Sequence, residues 1–501
     1  MTATHVPGAP SVEDGQLIST NPATGAEVGR FPVAGAEEVV AAVDRARAAA
    51  VWWAGLGFAE RERRLLRWSA LIAHRITGLA ELIRAEGGKP VAEGVVESAA
   101  AIDHLHWAAK NAKRVLRLRR RRSSVLVAEF SAFLEYQPYG VIGVIGPWNY
   151  PAFTPMGSIG YALAAGNAVV FKPSEYTPAV GAWLGETFAS VVPEQPVLQV
   201  VYGLGETGAA LCRSGVDKLA FTGSTATGRT VMAACAETLT PVLVECGGKD
   251  AMIVDTDADL DAAAEACVWG GLTNAGQSCV GIERVYVAAP VYDAFLQRLV
   301  DKASALSVGM DEGADMGPIT TPAQLDTVRR HISDAIDRGG RAVLGGPDAV
   351  RAPYVHPTIL VDVPEDSAAV CEETFGPTLT VRKVSSVDEA VELANAVRYG
   401  LGGAVFGKRR AMSVARRLRT GMTSINSALT FAGMPSLPFG GVGDSGFGRI
   451  HGDDGLREFA RAKAITRRRA PSLLPSTTFE RTPRQVAMVV RAIRLLRGRA
   501  R

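Results

Sequence analysis

The sequence predicts an α/β protein built from two doubly wound units. Two observations carry this. Between residues 140 and 221, short apolar runs alternate with helical patterns: Gly140–Gly146, Ala168–Pro173, Leu198–Val201 and Lys218–Phe221 read as buried parallel strands. The alternation then restarts at Met252-Ile253-Val254, without a second glycine-rich turn of the kind that cradles phosphate. A chain of 501 residues, 47% hydrophobic and 21% charged, has the length for two or three domains and a large core.

Taken in order, residues 1–20 read as a loose arm and Asn21-Pro22-Ala23-Thr24-Gly25 as a turn, with a short strand over Glu27–Pro32. Helical spacing marks Glu37–Ala50 and Arg61–Ile76, the latter through Leu65, Trp68, Leu71 and Ile72. Gly87-Gly88-Lys89-Pro90 stops a further helix, and Val91–Lys113 is the next. Trp52, Trp53, His104, His106 and Trp107 fall in this helical region and read as packing residues. The basic run Arg117–Arg122 reads as a solvated edge, and Val125 to Tyr136 has the β-rich character of a hairpin. Further helices are predicted over Met156–Ala165, Tyr176–Val192, Leu260–Asn274 and Val291–Leu306. Further strands are predicted over Arg284–Ala288, Ala342–Leu344, Thr358–Val361, Thr378–Val384 and Lys463–Thr466.

Composition narrows the function classes. The six cysteines are scattered without a C-x-x-C pair, which argues against a zinc site or disulfide framework and suits a reducing compartment; no metal is expected. The first fifteen residues are not leader-like, and no apolar run is long enough to span a bilayer. The net charge of +3 hides an asymmetry: residues 461–501 carry 12 Lys and Arg against the one acid Glu480, leaving 42 basic against 50 acidic residues elsewhere. A basic tail on an acidic body suggests an interaction element and not a nucleic-acid-binding enzyme body. In the tail, Val486, Val489, Val490, Ile493 and Leu496 share a helical face beside Arg491, Arg494 and Arg497. An anionic membrane surface or the protein's own dimer are the candidate partners.

Several motifs carry chemistry. Gly203-Leu204-Gly205-Glu206-Thr207-Gly208 matches the dinucleotide fingerprint superficially. Phe221-Thr222-Gly223-Ser224-Thr225 is the better phosphate candidate, because it follows a strand and opens a helix whose N–H groups favour an anion; a plain Ser or Thr helix cap fits the same residues. Lys172-Pro173-Ser174-Glu175 ends a strand where open sheets bind nucleotides. Asn149, between two prolines, can donate to a developing oxyanion. Glu245 and Cys279 suit a general base and a nucleophile.

These blocks, in this order, resemble the aldehyde dehydrogenase superfamily, in its NAD(P)-dependent, non-CoA-acylating branch. They are Gly146-Pro147-Trp148-Asn149-Tyr150-Pro151, Lys172–Glu175, Phe221–Thr225, Glu245–Lys249, Asn274–Cys279, Glu373-Thr374-Phe375-Gly376-Pro377 and Pro438–Gly441. The resemblance implies a Rossmann-like cofactor domain (1–118 and 139–247 with 445–459), a second α/β catalytic domain (248–444) and a β-hairpin oligomerisation element (119–138 and 460–470), followed by a basic amphipathic tail (471–501). It implies Cys279 as nucleophile, Asn149 with the Cys279 N–H as oxyanion hole, and Glu245 as the base that activates water. It assigns the cofactor to Trp148, Lys172, Glu175, Gly205, Phe221, Gly223, Ser224, Glu373 and Phe375. Glu175 argues for NAD over NADP, with NADP left open. The implied enzyme is a cytoplasmic homodimer or homotetramer that turns an aldehyde into a carboxylic acid through a thioester, with no nucleic-acid partner.

Departures from the pattern bear on substrate. Cys246 replaces the usual Leu, and Ser158 stands where many members carry Lys, so a proton relay through that Lys does not transfer. Gly157 suggests a wide tunnel lined by Tyr150, Phe153, Val280, Phe431 and Phe439. No Arg or Lys falls within 150–160 or 426–439 to hold a distal carboxylate. An apolar or aromatic aldehyde is therefore expected. The alternatives are a membrane-associated fatty aldehyde dehydrogenase and a succinate-semialdehyde-type enzyme.

Overall fold

The computed structural model describes residues 9–471 and 478–498. Five parallel strands form the first sheet: Val141–Ile145, Ala168–Lys172, Leu198–Val200, Lys218–Gly223 and Val242–Cys246. Side by side they run fifth, fourth, first, second, third in chain order, and Gly446–Phe447 adds an antiparallel edge beside the fifth. Helices Phe153–Ala165, Pro178–Val191, Gly205–Arg213 and Thr225–Ala236 make the crossovers. The strand order reverses between the first and fourth strands, and open sheets bind ligands beyond the carboxyl ends at such a switch point.

Three residues, Gly247-Gly248-Lys249, carry the chain into the second sheet. Its seven strands are ordered Arg341–Leu344, Thr358–Val361, Thr378–Val384, Ile282–Ala288, Asp250–Val254, Gly403–Phe406 and Ser424–Ile425, parallel except for the first. This short passage puts Glu245 at the seam between the sheets. Glycine is required there: a Cβ on Gly247 would lie 2.0 Å from the Glu373 carboxylate, and one on Gly248 would lie 2.6 Å from the Cys279 carbonyl.

Outside the two bodies, Arg119–Arg121, Phe130–Pro138 and Ala460–Arg468 form an antiparallel three-stranded sheet. Helices Gly57–His74, Ile76–Gly87 and Val91–Leu116 pack over the first sheet, the last against Phe153–Ala165.

Several expectations are corrected. The arm is not loose over its described part: Ser11–Glu13, Gln16–Thr20 and Glu27–Pro32 make an antiparallel sheet with Leu17 and Ile18 buried, and residues 1–8 lie outside the described residues. Val125–Val127 is a 3-10 turn capped by Ser124, not strand. Arg119–Arg121 pairs with Ala132–Leu134, because extended arginines can hold a ladder while their heads stay in water. Trp53 and His104 are buried and Trp52 and Trp107 half-buried, but His106 is exposed. Of the tail, Pro483–Arg497 is helical with no buried residue, and residues 472–477 and 499–501 lie outside the described residues. Among the described residues, no helix is long and apolar enough to cross a membrane.

Candidate active site

Cys279 is reached through three consecutive left-handed residues, Asn274 (φ +52°), Ala275 (φ +54°) and Gly276 (φ +72°). Such a run costs about 1–2 kcal/mol at each non-glycine position, so the surroundings must hold it. Asn274 donates its N–H to Glu93 (2.8 Å) and its side-chain amide to the Asn149 carbonyl (3.0 Å). Gln277 donates to the carbonyls of Asn274 and Pro318 and accepts from the Thr320 N–H (2.8 Å). At Gly276 a Cβ would fall 2.2 Å from the Gly376 carbonyl, so only glycine lets the 274–279 loop close on the 373–377 loop.

Asn149 follows the first strand of the first sheet. Its amide donates one hydrogen to the Gln277 carbonyl (3.0 Å), which leaves the second free to donate. Glu97, on the helix Val91–Leu116, accepts from the N–H groups of Ala152 (2.9 Å) and Phe153 (3.2 Å). Lys89 pairs with Glu97 at 2.5 Å and rests 3.6 Å from the Tyr150 ring centre. Both charges are buried, so the pair anchors the Asn149 turn at a fixed height.

Glu245, next to last in the fifth strand, is 3% exposed, and among the described residues neither carboxylate oxygen has a hydrogen-bond partner. Burial pushes its carboxyl up to about 8; the nearby Cys279 and Thr222 side chains pull it back, and Asp250 adds to the rise. Burial also raises the Cys279 thiol well above its usual range, reinforced by the charges of Glu245, Glu373 and Asp250. A buried carboxyl that titrates near neutrality beside a thiol is the arrangement a general base requires.

Beside this pair opens a cleft of about 690 Å³ at the switch point of the first sheet. All twelve residues singled out from the sequence line it: Trp148, Asn149, Lys172, Glu175, Gly205, Phe221, Gly223, Ser224, Glu245, Cys279, Glu373 and Phe375. Two helices begin on it, at Gly205 and Thr225. Ser224 caps the second by accepting from the Thr227 N–H (3.2 Å), so the cap and the anion-facing helix start are compatible. Lys172 is buried and pairs with the half-exposed Glu175 at 3.5 Å; burial lowers its pKa, with Glu175 opposing. Two helix starts, a lysine–glutamate pair and an acid at the far end make a donor set that fits a dinucleotide.

The far end is the loop Glu373-Thr374-Phe375. Glu373 accepts from the Gly248 N–H (2.9 Å) and Phe375, at φ +50°, meets Trp148 edge-on at 5.5 Å. Sequence reasoning missed what holds this loop. Buried Glu283 accepts from the N–H of Thr374 (2.8 and 3.1 Å) and of Phe375 (2.9 Å). It is itself paired with buried Lys249, which also donates to the Thr374 hydroxyl (3.0 Å). His331 meets the same hydroxyl at 3.0 Å, and Gln324 reaches the Thr374 carbonyl. Gln324, a further cleft residue, belongs to the helix Pro322–Asp337, which Thr321-Pro322 announces as an N-cap followed by a first-turn proline.

Of the residues expected to line a tunnel, Phe153, Val280, Phe431 and Phe439 are apolar and at least half-buried and Tyr150 lies under Lys89, but none of the five lines this cleft. Gly157 does not widen this region. His451 (φ +62°) occupies the space, its Nε2 lying 2.6 Å from where a Gly157 Cβ would stand, with Ile450 at 3.0 Å. The His451 ring also lies against Phe153, Phe439 and His104.

A model of the aldehyde dehydrogenase family matches residues 11–465. The chain is 38% identical to 4,4'-diapolycopene aldehyde oxidase of a Methylomonas species, over 89% of this chain and 84% of that protein. It is 36% identical to glutarate-semialdehyde dehydrogenase of Pseudomonas aeruginosa, over 90% and 94%. Among solved structures, an Escherichia coli NADP-dependent enzyme matches with a TM-score of 0.86 and 35% identity, over 90% of this chain and 94% of that one. The matched span carries both sheets and the whole cleft, so the chain belongs to the aldehyde dehydrogenase family, oxidoreductases that use NAD or NADP.

Proposed function

We propose that this protein oxidises an apolar aldehyde to its carboxylic acid, with NAD as acceptor and Cys279 as nucleophile. The observation that carries the proposal is the Glu245–Cys279 pair: a half-buried thiol beside a buried carboxylate with no hydrogen-bond partner among the described residues, at the end of a cleft of dinucleotide size. Glu245 takes the thiol proton, and the Cys279 sulfur adds to the carbonyl carbon. The free hydrogen of the Asn149 amide and the Cys279 N–H receive the resulting oxyanion. Lys172, Glu175, Gly205, Phe221, Gly223 and Ser224 would hold NAD, with Glu373 and Phe375 at its far end and Trp148 beside it, and the cofactor would there supply a hydride acceptor as the Cys279 adduct becomes a thioester. Glu245 passes the thiol proton to solvent and then draws a proton from water; the hydroxide adds to the thioester, the acid leaves, and the released Cys279 thiolate takes the proton from Glu245 to restore the thiol.

Glu175 favours NAD, since a carboxylate accepts from ribose hydroxyls and repels a 2′-phosphate. The apolar preference rests on Phe153, Val280, Phe431 and Phe439, and on Lys89 being taken up by Glu97. The relative named for a polyene aldehyde agrees with it. The second reading is a dicarboxylic semialdehyde, which the glutarate-semialdehyde relative favours. Either way no nucleic-acid partner is proposed, and the sheet that contains the exposed strand Ala460–Arg468 is the surface for a homodimer or homotetramer.

The test is NADH formation by the wild type and Cys279→Ala on aliphatic, aromatic and polyene aldehydes and on glutarate semialdehyde, with NAD and then NADP. Turnover on apolar aldehydes with NAD, absent in the variant, is the expected result. A higher kcat/KM on the semialdehyde transfers the proposal to the second reading, and silence on every aldehyde with both cofactors overturns both.

A further inference from the structure

The family match ends at residue 465, and the helix Pro483–Arg497 lies beyond it. This helix is built to stand alone. Thr482 and Gln485 form a reciprocal capping box: Gln485 accepts from the Thr482 N–H at 2.9 Å, and Thr482 accepts from the Gln485 N–H at 3.3 Å. Pro483 opens the first turn, and Arg494 and Arg497 close the last, where cations oppose the carbonyl end of the helix dipole.

No residue of the helix is buried against the body, although its side chains are predominantly apolar. Val486, Val489, Val490, Ile493 and Leu496 recur at three- and four-residue spacing and share one face. Val486 is 48% exposed and Leu496 55%. Met488 and Leu495 extend the apolar surface around the helix, and Arg484, Arg491 and Arg494 are confined to a narrow remaining sector. Phe479, just before the cap, is fully exposed. From Arg481 to Arg497 there are five arginines and no acidic residue.

We infer that this helix docks the enzyme on an anionic lipid bilayer. The charge pattern selects that occupant. A surface covering the helix must accept a wide apolar face and supply negative charge along the whole of its roughly 22 Å length. Anionic headgroups above hydrocarbon provide both at once, and the arginine stems let the guanidinium groups reach the headgroup level while the valines and leucines enter the acyl region. The body's negative excess, 50 acidic against 42 basic residues, is spread along the remaining sequence. Docking of this kind holds the cleft at a surface where apolar aldehydes dissolve, but it does not depend on the catalytic proposal.

The experiment is co-sedimentation of the full-length protein with phosphatidylglycerol vesicles and with phosphatidylcholine vesicles, at low and at raised salt. Activity on a water-soluble aldehyde and the far-UV spectrum are measured alongside as controls for folding. The expected result is sedimentation with phosphatidylglycerol only, weakened by salt, abolished by Val490→Glu, and weakened about 25-fold by Arg491→Gln with Arg494→Gln, at about fivefold per arginine near such a surface. These positions are exposed and none of them lines the cleft, so the variants are expected to leave folding and basal activity unchanged. The inference is overturned if the protein stays in solution with both lipids, if both lipids bind it equally, if the variants bind like wild type, or if Val490→Glu instead changes the oligomeric mass, which would assign the face to a second copy of the chain.

Discussion

Removing Glu283 tests whether the 373–375 loop is held by a buried ion pair. Glu283 and Lys249 are at most 4% exposed at their side chains, so Glu283→Ala strands an ammonium group in the interior. Breaking a buried pair from one side costs about 3–5 kcal/mol. The N–H groups of Thr374 and Phe375 lose their acceptor as well, at about 1–3 kcal/mol each where water does not reach them. Against a domain stability of roughly 5–15 kcal/mol, this variant unfolds at a much lower temperature or fails to accumulate. The informative partner is Lys249→Met combined with Glu283→Leu. With neither charge present, the electrostatic part of the loss disappears, because well-packed apolar replacements of buried pairs are close to neutral. Thr374 and Phe375 still lack their acceptor, and the loop that sets Phe375 at φ +50° against Trp148 is left to the His331 and Gln324 contacts of Thr374. The double variant should therefore regain most of the thermal stability, read by circular dichroism, while its KM for NAD stays raised and its kcat low. The reasoning fails if the single variant melts with wild type, or if the double variant recovers wild-type kinetics together with stability.

Two further substitutions read the nucleophile loop and the base. Gly276→Ala places a methyl group against the Gly376 carbonyl at a left-handed position; a displacement of the loop by about 1 Å should lower kcat on the order of 100-fold in a protein that still folds, and unchanged turnover would show that the loop has room. Glu245, whose folded pKa near 8 exceeds its unfolded value of 4.5, is protonated when folded and ionised when unfolded between those limits, so it removes stability as pH rises from 4.5 to 8 and no more above. Glu245→Gln should abolish turnover yet melt higher than wild type, by at most about 4 kcal/mol at pH 8 and by nothing near pH 4; a stability difference that does not change with pH would refute this. In the wild type, kcat/KM should climb along a limb centred near pH 8 in the cofactor-free enzyme.

The parts of this fold that were legible in sequence are those whose cause is local. Val-Ile-Gly-Val-Ile and Ala-Val-Val-Phe-Lys are apolar without alternation because both faces are covered, and they form neighbouring inner strands. The arm was misread because Leu17, Ile18 and Ser19 are all buried, which erases the two-residue period of a half-exposed strand; Ser19 is held there by Glu86, sixty-seven residues away. Gly157 misled for a related reason. A missing side chain leaves space only if nothing remote fills it, and His451 does, nearly three hundred residues later and in a backbone conformation no local pattern announces.

The site divides in the same way. The cleft residues that were legible stand in turns at strand ends and helix starts, where chemistry restricts the residue type within a few positions. The groups that hold them, Glu93, Glu97 and Glu283, act on backbone N–H groups of segments distant in sequence, so nothing local marks them. The electrostatic balance at Cys279 is equally non-local. A reactive cysteine suggests a site that favours thiolate, yet burial raises this thiol well above its usual range, and the Glu245, Glu373 and Asp250 carboxyls add to the rise where they ionise. A cation entering the cleft would oppose that field, and a carboxyl titrating near 8 is already placed to take the proton. The raised thiol thus follows from burial first and then from three acids whose convergence on one sulfur only the folded chain reveals.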